Sequence, residues 1–194
     1  MSPEPLILGF DTSAAHCAAA LLCPGEWVET VHEEMPRGQA ERLFPMLEAL
    51  LAGRGAEWRD LAAIGVGIGP GSFTGVRIAV AAARGLALSL DIPAIGVTTT
   101  EAMGFGLPRP CRVVLPGPGG QSIWQDFPEM ERPELGADPP PGPPEYPQPV
   151  PLAEAVARIA ASRIAHPGAR PAPLYLRPAD AAPARDQGPA ILPG

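Results

Sequence analysis

The apolar positions of the first hundred residues fall into short runs whose period changes along the chain. Residues 6–10 are an apolar run that ends in the polar triplet Asp11-Thr12-Ser13, and residues 17–22 form a second run. Residues 27–33 alternate in part, and Pro24-Gly25 between the second and third runs is a turn signal, so this pair reads as a hairpin. From Gln39 the spacing becomes helical through Leu43, Met46, Leu47, Leu50 and Leu51, with Pro45 an awkward residue that either delays the helix or kinks it. Residues 64–68 read as a buried strand. Residues 74–90 are strongly helical, stopped by Asp91-Ile92-Pro93, and Ala94–Val97 is a further short strand. The predicted order is βββαβαβ, an α/β pattern.

Beyond residue 103 the texture changes. Fourteen of the 28 prolines fall between 104 and 151, and residues 139–144 read PPPGPP, which is expected to stay outside any sheet or helix. Residues 112–115 and Ser122–Phe127 are candidate short strands, and helical spacing returns over 151–164 through Leu152, Val156, Ile159 and Ala160. The expected organisation is therefore one firm domain over 1–103 and a reduced, proline- and glycine-rich second lobe with a tail over 104–194.

Composition narrows the function classes. The chain has 194 residues, 46% of them hydrophobic, and a formal net charge of −7; lysine is absent and all 14 basic residues are arginine. A free-standing nucleic-acid binder gains its affinity by neutralising phosphates, and no arginine cluster suited to that is visible. The three cysteines, Cys17, Cys23 and Cys111, have no metal-ligand spacing and suit a reducing compartment. The opening residues lack a basic n-region and no run approaches a membrane span, so a cytoplasmic protein is expected.

Two segments carry candidate chemistry. Asp11, Thr12 and Ser13 follow the first strand; such a turn either faces phosphates and magnesium or closes the hairpin as an Asx-type turn. The second is Gly69-Pro70-Gly71-Ser72-Phe73-Thr74-Gly75, between a buried strand and a helix. Its free N–H groups would favour an anion, and Ser72 or Thr74 would cap the helix. It is neither a Walker A loop, since no lysine follows, nor a dinucleotide fingerprint. The helix behind it carries small residues at Gly75, Ala79, Ala82 and Ala83, a face that another element could approach closely. His16, His32 and His166 are far apart, no pair is spaced as metal ligands, and no G-x-S-x-G motif is present.

These strings resemble one family. GIGPGSFTGVRIAVAAARGLAL, following ILGFDTSAAHCAAALL, is similar to the bacterial TsaB (YeaZ) family; Ala94-Ile95-Gly96-Val97-Thr98-Thr99 and the PLYLRPADA near the end add two more motifs in order. The resemblance implies a ribonuclease-H-like lobe of the actin/Hsp70-like ATPase superfamily, with a mixed sheet and flanking helices. It implies a non-catalytic accessory subunit in the making of N6-threonylcarbamoyladenosine at tRNA position 37. Its partner would be a TsaD-like catalytic subunit, with a TsaE-like ATPase in the assembly, and the chain would meet tRNA only through the complex. Alone it would pair with itself.

Carried onto this chain, the interface falls on the two helices of the first lobe, at Leu43, Leu47, Leu50, Gly75, Ala79, Ala82, Ala83 and Leu86. No catalytic residue, metal or cofactor is implied, and ATP or ADP would bind weakly or not at all. The competing expectation is a minimal actin-like ATPase using Asp11 and the glycine turn. The second lobe departs from the family: Leu115-Pro116-Gly117-Pro118-Gly119-Gly120 stands where an Asp-Ala-Arg-like turn is usual, which puts closure of a nucleotide cleft in doubt.

Overall fold

The computed structural model describes residues 6–23 and 27–176. The turn expected at Pro24-Gly25, and the part of the last motif from Arg177 onward, lie outside the described residues. Strands β1 (Leu6–Asp11), β2 (His16–Leu22) and β3 (Val28–Glu34) form an antiparallel meander, followed by helix α1 (Gln39–Gly53). Strand β4 (Leu61–Gly67) pairs parallel with β1, and β5 (Ala94–Val97) pairs parallel with β4 after helix α2 (Phe73–Leu90). The result is a five-stranded mixed sheet of order β3-β2-β1-β4-β5. This is the expected α/β architecture, with each predicted strand and helix of the first hundred residues present.

The alternation of side chains along each strand sorts them onto two faces. Leu8, Phe10, Cys17, Ala19, Leu21, Ile64 and Val66 face α1 and α2 and form the larger core with Leu43, Met46, Leu47, Leu50 and Leu51. The opposite face is covered by α4 (Leu152–Arg163), which packs Ala153, Ala157 and Ala160 against Ile7, Ala18, Ala20 and Ala63. That helix comes from beyond residue 103 yet lies on the first sheet. Its approach is close because Gly9 and Gly65 face it: a β-carbon at Gly9 would sit 2.7 Å from the Ala153 carbonyl oxygen, and one at Gly65 2.8 Å from the Ala160 β-carbon.

Pro45 neither delays nor ends α1, which runs through it. Proline removes one N–H, and the carbonyl it orphans belongs to Glu41, an exposed residue in the first turn whose carbonyl water can satisfy. Helix α2 is capped by Ser72, whose Oγ accepts from the Gly75 N–H at 3.3 Å, and it ends on Asp91 in the left-handed region. A short helix α3 (Thr99–Met103), absent from the sequence expectation, starts with a reciprocal capping box between Thr98 and Glu101.

The second sheet is antiparallel, of order β6-β7-β8, with β6 (Cys111–Pro116), β7 (Ser122–Phe127) and β8 (Glu134–Gly136). Residues 139–144 stay outside helix and strand, as expected, but the run is tied to the edge of this sheet. The Arg112 N–H donates to the Pro144 carbonyl at 2.9 Å, and Arg112 forms a parallel bridge with Glu145 on the free edge of β6. Proline lacks a donor but keeps its acceptor, so a proline-rich strap can close a sheet edge on one side. The Arg112 guanidinium fastens it from within, donating to the Pro140 carbonyl and, bidentate, to Asp126 at 2.5 and 2.6 Å.

Candidate functional site

Strand β1 ends in Asp11, which is fully buried, and the chain reverses through Thr12 and Ser13. The Asp11 Oδ1 accepts from the Ser13 backbone N–H and from the Ser13 hydroxyl, both at 2.8 Å. This is the Asx-type closure of the hairpin, one of the two alternatives the sequence left open. The same oxygen lies 2.8 Å from His16 Nε2 on β2. Asp11 Oδ2 is buried with no hydrogen-bond partner and lies over the Cα of Gly67, where a β-carbon would collide with it.

The structure brings the glycine turn onto this one. The Ser72 N–H donates to the Ser13 carbonyl at 2.6 Å, and the Thr12 hydroxyl donates to the Gly75 carbonyl at 2.7 Å. Gly71 and Gly75 are where the backbones touch: a β-carbon at Gly71 would strike the Ser13 carbonyl, and one at Gly75 the Thr12 carbonyl. Gly69 adopts φ 88°, open to glycine without strain. So Asp11, Thr12, Ser13, Gly69, Gly71, Ser72 and Gly75 form one assembled junction, with Thr74 exposed at its rim. Much of its polar capacity is spent internally, on holding β1 against the start of α2.

Beside the junction lies a cleft of about 1050 Å³. Its walls include Ser13, Gly71 and Ser72, the start of α1 from Arg37 to Glu41, and Leu115, Pro116 and Ile123 of the second sheet. Nucleotide-sized ligands fit clefts of this volume, but Arg37 is the one basic side chain among the lining residues.

The residues expected at a partner interface are placed differently from the sequence reading. Leu43, Leu47, Leu50, Gly75, Ala79, Ala83 and Leu86 are all buried within the chain, and only Ala82 is half-buried. The small face of α2 is turned inward, onto the protein's own sheet. The reason is the heptad-like spacing itself, which serves helix-on-sheet packing as well as it serves docking. The outward face carries Phe44 of α1 and Phe73, Arg77, Ala81, Arg84 and Leu88 of α2, with Leu88 79% exposed.

His16 is the residue that sequence reasoning undervalued. Spacing along the chain gives it no role, but it stands in β2 with its side chain 14% exposed. Register was the available signal: Asp11 pairs with Ala18, which sets His16 two residues away on the same face. His32 is exposed on β3, with its ring centre 5.1 Å from that of His16, and His166 is exposed after α4.

Residues 31–108 match the family model TsaD, tRNA N6-adenosine threonylcarbamoyltransferase. No curated protein matches the chain. Among solved structures, YeaZ from Pseudomonas aeruginosa is 24% identical, with TM-score 0.71, covering 89% of this chain and 100% of its own. A protein from Pseudomonas aeruginosa described as uncharacterized, with similarity to peptidase YEAZ, gives TM-score 0.75 at the same identity and coverage. At that identity the likeness is one of fold. The TsaD-family model thus matches residues 31–108, and the two Pseudomonas aeruginosa structures share the fold of the chain.

Proposed function

We propose that this chain is a non-catalytic accessory subunit in the bacterial synthesis of N6-threonylcarbamoyladenosine at tRNA position 37. It docks a TsaD-like catalytic subunit through the outward face of its two-helix layer, with a TsaE-like ATPase in the same cytoplasmic assembly. One observation carries the docking. Helix α2 has 18 residues with mean hydropathy 1.4, apolar enough to cross a membrane by length and composition alone, yet 28% of it is buried. Its inner face is buried at Val76, Ala79, Val80 and Ala83, and Ala79, Ala83 and Leu86 join the core on the sheet, as in a core helix. Phe73 and Leu88 of α2 and Phe44 of α1 remain outside, and large apolar side chains exposed on a helix layer favour a protein partner. In the absence of that partner the same face would serve a homodimer.

On this reading ATP and ADP bind weakly or not at all, because the Ser13 carbonyl, the Ser72 N–H and the Thr12 hydroxyl are consumed within the junction. tRNA is reached through the complex, in keeping with the net charge of −7. The test is co-purification with the TsaD-like subunit of the same organism, followed by sizing. Leu88→Glu should abolish the complex with an unchanged melting temperature; normal association of that variant would refute the assigned face.

A further inference from the structure

We propose that the free edge of the five-stranded sheet carries a site for a divalent transition-metal ion, built from His16 and His32 with Glu34 as third ligand. The proposal stands independently of the partner-subunit reading. In the β2–β3 pair His16 lies opposite Glu34, and Ala18 lies opposite His32. Directly paired residues share a face, and so do alternate residues along a strand. His16, His32 and Glu34 therefore stand together on one face, with the small Ala18 leaving room between the rings.

The spacing of the rings suits an ion. Two imidazoles on one tetrahedral metal, with metal–nitrogen bonds of about 2.0–2.1 Å, hold their ring centres about 5 Å apart. The His16 and His32 centres are 5.1 Å apart, with the planes tilted by 47°. Asp11 supplies the support that a metal-bound imidazole ordinarily has. With the His16 Nε2–H donating to Asp11 Oδ1 at 2.8 Å, Nδ1 is left as the free ligand atom, and the carboxylate fixes both tautomer and ring direction. Access is open, since β3 is an edge strand and both His32 and Glu34 are exposed.

Among the described residues no three potential ligands already surround one point. The two rings are thus the fixed part of the site, and Glu34 completes it by turning its side chain, with water in any remaining position. Two imidazoles and one carboxylate select zinc or nickel over magnesium or calcium, which prefer all-oxygen sets. Because Asp11 Oδ1 also holds Ser13, an ion on His16 ties the sheet edge to the junction that starts α2.

Isothermal titration of the metal-free full chain with zinc chloride, and separately with nickel chloride, tests this. One ion per chain is expected to bind saturably. His32→Ala should weaken binding at least tenfold, Asp11→Asn by roughly 10–100-fold, and His166→Ala not at all. Asp11 and His16 variants risk disturbing the turn, so the exposed His32→Ala decides the matter, with its fold checked by circular dichroism. No saturable binding, or binding that His32→Ala leaves unchanged, would overturn the site.

Discussion

The Asp11 carboxylate lies directly over the Cα of Gly67, with Oδ2 in the space that a β-carbon there would occupy. The glycine on β4 is thus fixed by the aspartate on β1, and that aspartate in turn holds Ser13 and His16. Gly67→Ala should displace the carboxylate and cost about 1–3 kcal/mol, as overpacking of a close-packed interior does. For a chain of this size that is a fall in melting temperature of roughly 2–4 °C per kcal/mol. In an Asp11→Ala background the cost should shrink. Additive losses in thermal melts of the two single variants and the double variant would show that the residues do not interact.

The strap on β6 gives a second prediction. Arg112 is 6% exposed at its side chain, and it holds both Asp126 and the proline run. The bond to Asp126 raises the guanidinium pKa further, so the charge is permanent. Arg112→Met strands a largely buried carboxylate and should cost on the order of 3–5 kcal/mol in urea denaturation. Arg112→Met with Asp126→Leu should recover much of that loss.

Glu101 joins α3 to α4 through Arg163, which donates at 2.6 Å. Burial pushes its pKa up, but the bonds from Arg163 and from the Thr98 N–H and hydroxyl outweigh burial and hold the carboxyl below its usual range. A carboxyl depressed in the folded state stabilises the fold above its unfolded pKa, and that stability is lost as pH falls through the folded value. Glu101→Gln should therefore be destabilising at pH 7, and the gap to the parent should close below about pH 4. A gap of constant size across that range in denaturant titrations would contradict the linkage.

The cysteines should be inert. Burial, followed by the nearby Glu33 and Asp11 charges, pushes the Cys17 thiol up to about 11 against the opposing effect of Arg42. Cys23 and Cys111 are buried as well. Iodoacetamide at pH 8 should leave the native chain unmodified and label all three thiols in urea, read by intact mass. Rapid native labelling at Cys17 would show that β2 opens in solution.

The first-lobe architecture was legible because hydrophobic period carries it directly. Strands fully buried on both faces, such as β4, read as continuous runs, and α2 announces itself by spacing and by its stop at Asp91-Ile92-Pro93. The short elements were not legible. The five residues of α3 are too few for a period, although Thr98 and Glu101 had the capping-box spacing. The strap at Pro144 escaped because the rule against proline in sheets concerns its missing donor, whereas here its acceptor is used. The junction was half legible: both turns stood out, but only the fold shows that Gly71 and Gly75 make room for the Ser13 and Thr12 carbonyls. The interface failed for a plainer reason. A stripe of small residues states that something comes close, and at Ala79 and Ala83 that something is the chain's own sheet.

The most direct test of the central claim is reconstitution. The purified TsaD-like and TsaE-like proteins of the same organism, threonylcarbamoyl-AMP and an unmodified tRNA reading ANN codons would be combined with and without this chain, and the modified nucleoside measured by mass spectrometry. The account predicts that product requires the chain and falls away with Leu88→Glu. Equal product in its absence would contradict the accessory-subunit role.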